Sequence, residues 1–314
     1  MSSDARRVLI AGGGPVGLLS AWLLGRQGIA VRLFDANDGL QADPRAATTH
    51  PATLDLLVDD GLSQDMARVG LVAPIFQFWD RPSNRLVAEF DHAVLARDTS
   101  HPFVVQCEQF KTSKLLLQRL KALPNVEVLF RHEVVDLRQT GTAVSVEVKG
   151  PSDLQTHGGA WLIGADGGRS VVRKRSDIAF DGFTWPERFI VLTTPFDFQS
   201  ERGYSFRSYF AEPGAWCNCF KVSADGPPGL WRAVFPAEPA QDDAWILSDA
   251  GVQDCMRRFF PSSRPYEIVN RSKPGSEAVR LKRRADEQAR WGYRQRGDVA
   301  CVTRPHGLNV VLNV

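Results

Sequence analysis

Four consecutive apolar residues, Val8–Ala11, run into a glycine-rich stretch, Gly12–Gly17, and then into a second apolar run from Leu18 to Leu24. A short unbroken apolar run predicts a central parallel strand buried on both faces, and the run behind the glycines predicts a helix. A polar break at Arg26–Gly28 leads to Val31–Asp35, a second strand closed by an acid. Residues 43–62 read as a loop into a short helix that starts near Pro51 or Thr53 and ends at Gly61. Glu108–Leu123 predicts a helix with Leu115, Leu116, Leu117 and Leu120 inward, stopped by Pro124 and Asn125. The strand Val126–Phe130 follows, then antiparallel strands at Val134–Val135 and Val144–Val148 around a turn near Gly141. Trp161–Gly164, a turn carrying Asp166 and a helix start capped by Ser170 repeat the opening theme of strand, turn and helix. Alternating stretches at Ile75–Trp79, Phe206–Phe210, Trp216–Phe220 and Leu230–Phe235 predict a mostly antiparallel sheet.

Composition narrows the class without naming it. A chain of 314 residues, 43% hydrophobic and 24% charged, is long enough for one or two domains with a sizeable core. A formal charge of +2 gives no electrostatic case for nucleic-acid binding. Five cysteines scattered through such a chain argue for a reducing compartment rather than a disulfide scaffold. Without an apolar run of membrane length or a cleavage site near Met1, the expectation is a cytoplasmic protein. One asymmetry hides in the total. Between Arg271 and Arg296 nine basic residues face three acids, so this stretch carries +6 and the remainder is mildly acidic.

The first glycine turn carries the clearest chemistry. Gly12 permits a tight turn, Gly14 lets the backbone approach a pyrophosphate, and Gly17 lets the helix sit close on the sheet. Pro15 and Val16 complete the turn, where the helix N-terminus offers free N–H groups and positive dipole to phosphate. Asp35 is placed to accept hydrogen bonds from a ribose hydroxyl, and its charge disfavours a 2′-phosphate there. FAD and NAD both remain open at this point. Cys217 and Cys219 share a strand face and read as packed thiols, and His50, His92, His101 and His132 lack ligand spacing and read as loop or surface residues. No metal site is expected.

Two strand–turn–helix units bracketing a helix and a meander exceed what a simple NAD domain needs. The arrangement resembles the class A flavoprotein monooxygenases, the aromatic-ring hydroxylases related to para-hydroxybenzoate and 3-(3-hydroxyphenyl)propionate hydroxylases. The resemblance covers roughly residues 6–270. It rests on Gly12–Gly28 with Asp35, on Pro44-Arg45-Ala46 with His50 and Pro51, and on Gly164–Arg173. It implies an α/β fold, a Rossmann-like FAD-binding domain of the glutathione-reductase type with a sheet-rich substrate domain inserted. Residues 1–74, 103–182 and 271–314 would form the FAD domain, and 75–102 with 183–270 the substrate domain. Gly12, Gly14 and Gly17 would hold the FAD pyrophosphate, with Asp35 on the adenosine ribose, and Arg45 would contact the cofactor. Gln109, or else Gln106, matches the family glutamine. Asp166 and Gly167 match an Asp-Gly motif that serves FAD and a transient visit of NAD(P)H. The lesser alternative is that Asp166 caps and orients the helix start.

The implied reaction hydroxylates a phenolic ring through a flavin hydroperoxide formed from NAD(P)H and O2. The expected partners are a small aromatic substrate and O2, with no nucleic acid or membrane and with a homodimer left open. Arg207, Tyr209, Asn218 and Arg232 are pocket candidates, while catalytic residues stay unassigned. Near the chain end the family pattern departs. Either Gly297-Asp298 is the third flavin motif, with Cys301 replacing its histidine, or Val299–Val302 is the strand before a missing Gly-Asp; the second register is favoured. The closing helix has no counterpart before Val314, which keeps a truncated, catalytically impaired flavoprotein homologue as the alternative.

Overall fold

The computed structural model describes residues 7–42, 47–140, 142–178, 182–185, 188–237, 240–271, 278–281 and 299–301. These divide into two compact units. The first draws on Met1–Asp43, Gln109–Phe183 and Arg280–His306, the second on Pro44–Glu108, Thr184–Val279 and Gly307–Val314.

In the first unit, β1 (Val8–Ala11) leads through the glycines into α1 (Pro15–Gly25), which returns to β2 (Val31–Asp35). All four residues of β1 are buried. That fits the unbroken apolar run, because both faces of the strand are covered. Leu9 and Ala11 join Phe34, Leu162, Val134, Val144, Val146 and Val148 in one core. On the opposite face Ile10 lies under α1, where a Cβ at Gly17 would come within 3.4 Å of its Cγ2. α1 packs in turn against the helix Gln109–Leu120.

The sheet order places Val299–Cys301, Trp161–Gly164, β1, β2 and Val126–Phe130 side by side, all parallel. From β1 the chain first builds outward through β2 and then returns to the other side with Trp161–Gly164. The reversal point therefore lies between β1 and Trp161–Gly164, where α/β sheets bind ligands at their carboxyl ends. Val299–Cys301 occupies the strand position of the favoured C-terminal register. Gly297 and Asp298, most of the basic 271–296 stretch and Gly141 lie outside the described residues.

The second unit is built on a seven-stranded sheet ordered Asn270–Arg271, Arg188–Thr194, Leu230–Ala237, Ala215–Val222, Arg207–Glu212, Ile75–Asp80 and Arg85–Asp91. Every pairing is antiparallel except that between Arg207–Glu212 and Ile75–Asp80. Period-2 alternation sends Cys217, Cys219, Trp231, Ala233, Phe235, Ile190, Leu192 and Phe210 to one face. There they form a continuous core with Val252, Met256 and Phe259 of the helix Asp249–Phe259. Cys217 and Cys219 are the packed, unbridged thiols the sequence suggested, and burial pushes both well above the usual thiol range.

Two local expectations are corrected. Gly61 does not end the helix that begins at Pro51; that helix spans Pro51–Leu56, and Gly61, at φ 69°, caps the next one, Leu62–Val69. Glycine occurs at both helix ends, so the residue type alone could not tell them apart. His92 and His101 are buried rather than surface groups. His92 Nδ1 lies 2.7 Å from the Pro74 carbonyl, and His101 Nδ1 lies 2.7 Å from Asp55 Oδ1. Partnered in this way, a histidine tolerates burial.

Candidate functional site

The turn after β1 is shaped by contacts only glycine allows. At φ 101°, Gly12 is left-handed, and a Cβ there would sit 2.3 Å from the Ala165 carbonyl oxygen. A Cβ on Gly17 would sit 1.8 Å from the Gly12 carbonyl oxygen. Gly14 differs, since a Cβ there meets nothing within 4 Å. The first two glycines thus serve packing, and the third borders open space. Gly14 caps α1 in extended conformation with no side-chain cap, Pro15 takes the first helical position, and no acid stands in the first turn. The N–H groups of Val16 and Gly17 precede the first intrahelical bond, which runs from Leu18 N to Gly14 O at 3.0 Å. A bound anion would find both donors and the positive end of the helix.

Asp35 has a second task that its position at the end of β2 did not reveal. Its Oδ2 accepts from Gly13 N at 2.6 Å, and its Oδ1 accepts from Asn37 N and Asn37 Nδ2, each at 2.8 Å. The carboxylate pins the glycine turn, and its remaining lone pairs are what a ribose hydroxyl could use.

The second turn lies beside the first. Ala165 N donates to Ala11 O at 2.7 Å, which brings the two turns together at the carboxyl ends of adjacent parallel strands. Asp166 accepts from Ser170 Oγ at 2.5 Å, from Val171 N at 2.7 Å and from Val172 N at 3.1 Å. Ser170 Oγ accepts from Arg173 N at 2.9 Å. Both side chains cap the helix Val171–Arg175, so the capping role foreseen for Asp166 is present in its hydrogen bonds. Gly167, at φ 78°, and Gly168 face open space.

Arg45 lies outside the described residues. Gln109 stands half-buried at the first position of its helix. Gln106 is fully buried in the strand Val104–Gln106. Its Oε1 accepts from Thr48 Oγ1 at 2.8 Å, yet its Nε2 and the neighbouring Thr49 Oγ1 are buried without a partner. Leaving a buried donor unpaired costs about 1–3 kcal/mol. The unpaired amide of Gln106 depends on burial and so was closed to sequence.

Arg207, Tyr209, Asn218 and Arg232 all project from the sheet face opposite the cysteine core, as register and alternation require. Aromatic residues from the neighbouring strands share this face. Phe78 stacks on Tyr209 with centroids 5.1 Å apart, and Phe76 stacks on Phe90 at 4.8 Å. The Arg207 guanidinium lies 5.2 Å above the Phe76 ring, and its Nη2 donates to Tyr209 Oη at 3.2 Å. Near it, partial burial of the imidazole, followed by Arg207 and His92, holds the His50 pKa below its usual 6.5. Sequence reading missed Phe76, Phe78, Phe90, His50 and His92 as members of this cluster, because only the sheet order brings Ile75–Asp80 beside Arg207–Glu212.

Among the described residues no group of histidine, cysteine and acidic side chains could hold a metal ion, and no helix is long and apolar enough to cross a membrane.

Comparison with known proteins gives consistent results. The FAD binding domain family matches residues 5–296. Para-nitrophenol 4-monooxygenase of Pseudomonas sp. (strain WBC-3) is 34% identical over 76% of this chain and 58% of its own length. The 6-hydroxy-3-succinoylpyridine 3-monooxygenase HspB of Pseudomonas putida (strain DSM 28022 / S16) is 33% identical over 97% of this chain and 75% of its own. The chain therefore spans under two thirds of the first relative and three quarters of the second. Among solved structures, p-nitrophenol 4-monooxygenase PnpA from Pseudomonas putida DLL-E4 superposes with a TM-score of 0.81 at 28% identity, over 95% of this chain and 72% of that one. The flavin-dependent monooxygenase PieE, solved with FAD and substrate, shares the fold at a TM-score of 0.78 and 23% identity, over 96% of this chain and 53% of that one.

Proposed function

The chain belongs to the FAD binding domain family of aromatic-ring monooxygenases, and from that premise we propose that it hydroxylates a phenolic ring using FAD, NAD(P)H and O2. The observation that carries this reading is the juxtaposition of the Gly12–Gly17 and Ala165–Gly168 turns at the carboxyl edge of the parallel sheet. The residues fit the cofactor: the backbone is open at Gly14, two helix N–H groups are unused, and Asp35 keeps acceptor capacity beside the turn.

Within this reading Gly12 and Gly17 shape the turn, and Gly14, Pro15, Val16 and Gly17 offer backbone to the pyrophosphate. Asp35 takes a ribose hydroxyl, and Asp166 and Gly167 form the neighbouring wall. Arg45 and Gln109, or Gln106 in place of Gln109, are further cofactor contacts. Bound FAD supplies the redox chemistry, taking electrons from NAD(P)H and activating O2 for transfer of one oxygen atom to the ring. The protein's own part is to bind the ring, orient it and exclude water. The aromatic face of the second unit, with Arg207 and Tyr209, is the ring-binding surface, which makes the sheet-rich region the substrate domain. The relatives' names point to phenols and hydroxypyridines as the substrate class.

The test is an absorbance spectrum of the purified protein with and without added FAD, followed by NAD(P)H oxidation against a panel of phenols. A flavin spectrum with substrate-stimulated oxidation is expected. Protein that stays colourless with excess FAD would overturn the proposal.

A further inference from the structure

Arg207 stands on a central strand of the second unit's sheet and is 8% exposed. A buried guanidinium normally sits against a carboxylate, because an unpaired charge out of water costs several kcal/mol. Three other cations of this unit follow that rule. Lys221 reaches Asp197 at 3.3 Å, Arg81 reaches Glu212 at 2.5 Å, and Arg188 pairs with Asp243. Arg207 does not. Its neighbours are the Tyr209 hydroxyl, which accepts one hydrogen bond, and the Phe76 ring beneath it. No acidic side chain pairs with it among the described residues. Instead the His50 imidazole stands within its electrostatic reach and adds no negative charge.

A guanidinium carries five donors in a planar fork, and Tyr209 uses one of them. The rest of the fork is suited to a planar oxyanion. Around it Phe76, Phe78, Phe90 and Tyr209 supply flat apolar area for a ring, and Phe78 and Phe90 stay 40% and 48% exposed. Flat rings next to a charge that lacks a counter-ion define a ligand with both features.

We propose that this face selects aromatic anions, holding the ring against Phe76, Phe78 and Tyr209 while the Arg207 guanidinium binds the ligand's negatively charged oxygen. The proposal rests on the monooxygenase reading for the identity of the ligand as substrate, but the binding itself does not need turnover. Arg207 acts here as a specificity-determining residue. Two anionic groups share the required chemistry, a ring phenolate and a ring carboxylate.

Equilibrium binding to the full chain, followed by tryptophan fluorescence and calorimetry, tests the assignment with three probes: 4-nitrophenol above its ionisation pH, 4-hydroxybenzoate, and neutral 4-methylphenol. Wild type is expected to favour one or both anions over the neutral phenol, and the anion bound more tightly identifies phenolate or carboxylate as the group recognised. Arg207→Gln should weaken anion binding about ten- to hundredfold, the worth of a charge-assisted hydrogen bond, with a change of less than about threefold for 4-methylphenol. Arg207→Lys should retain part of the preference. The same Arg207→Gln protein without ligand should melt at or above the wild-type temperature, because it sheds a buried unpaired charge. Equal weakening for anions and neutral phenol, or a large fall in melting temperature, would show a structural role and overturn the proposal. Should Arg207-dependent anion binding persist in a protein that takes up no FAD, the monooxygenase reading fails while this one stands. Should active flavoprotein show an anion preference that ignores Arg207, this proposal fails while the monooxygenase reading stands.

Discussion

The two units of this protein make their proposed sites from different materials. In the first, the working surface is main chain: glycines at 12, 14 and 17, unused N–H groups at a helix start, and a second turn alongside. In the second it is side chain: a guanidinium and several rings on one face of a sheet whose other face is a closed core. A main-chain site tolerates almost no added atoms, since each glycine is already in contact or must stay open. A side-chain site should tolerate substitution in its fold and register it in its ligand.

Gly17→Ala gives the largest effect on that contrast. A methyl group 1.8 Å from the Gly12 carbonyl oxygen forces backbone apart, so stability should fall by about 3 kcal/mol or more, seen in the chemical-denaturation midpoint. Gly14→Ala is its counterpart. The added Cβ meets nothing within 4 Å, so the melting temperature should stay close to wild type while FAD titration shows affinity reduced at least tenfold. If both variants behave alike, the division between packing glycines and the ligand-facing glycine is wrong.

Asp166→Ala comes next. It removes three hydrogen bonds at the start of the helix Val171–Arg175 and should cost about 1–2 kcal/mol in thermal unfolding even without cofactor. A variant that loses FAD affinity at unchanged stability would show that the carboxylate serves the ligand and not the cap.

The smallest effect expected is one of pH. Burial, and secondarily Arg32, holds the His157 pKa below its usual 6.5. The Arg32 guanidinium lies 2.9 Å from its Nδ1, which must therefore act as acceptor. Since the folded protein resists protonation more than the unfolded chain, stability is complete above pH 6.5 and declines as pH drops from there toward the folded pKa. His50 shifts in the same direction. Melting temperature should thus decrease modestly from about pH 7.5 to about pH 5.5, and His157→Gln should flatten the slope. An unchanged slope in that variant would remove His157 as a cause.

Much of the first unit could be read from the chain. Val8–Ala11 is apolar throughout because both its faces are covered, and the glycines betray a turn where backbone meets backbone. Ser170 announced its helix in the same local way, by supplying an acceptor to Arg173 N. The second unit was read less fully. Its four brightest strands were visible by alternation, but Arg85–Asp91 and Arg188–Thr194 were not singled out, and nothing local signalled the parallel pairing of Arg207–Glu212 with Ile75–Asp80. Gln106 shows the same limit. As a letter it is one polar residue near a helix start, and only burial reveals that its amide lacks a partner.

By itself the sequence determined the nucleotide-binding turn, the strands and helices that carry it and the family to which they belong, because each depends on contacts between near neighbours or on the conformational freedom of a single glycine. Only the tertiary structure decided that Asp35 also pins Gly13, that Gln106 is stranded, and that Arg207 lies buried among rings without an acid. Those facts depend on which distant strands become neighbours, and a charge in an alternating strand reads the same whether its face meets water or a ligand.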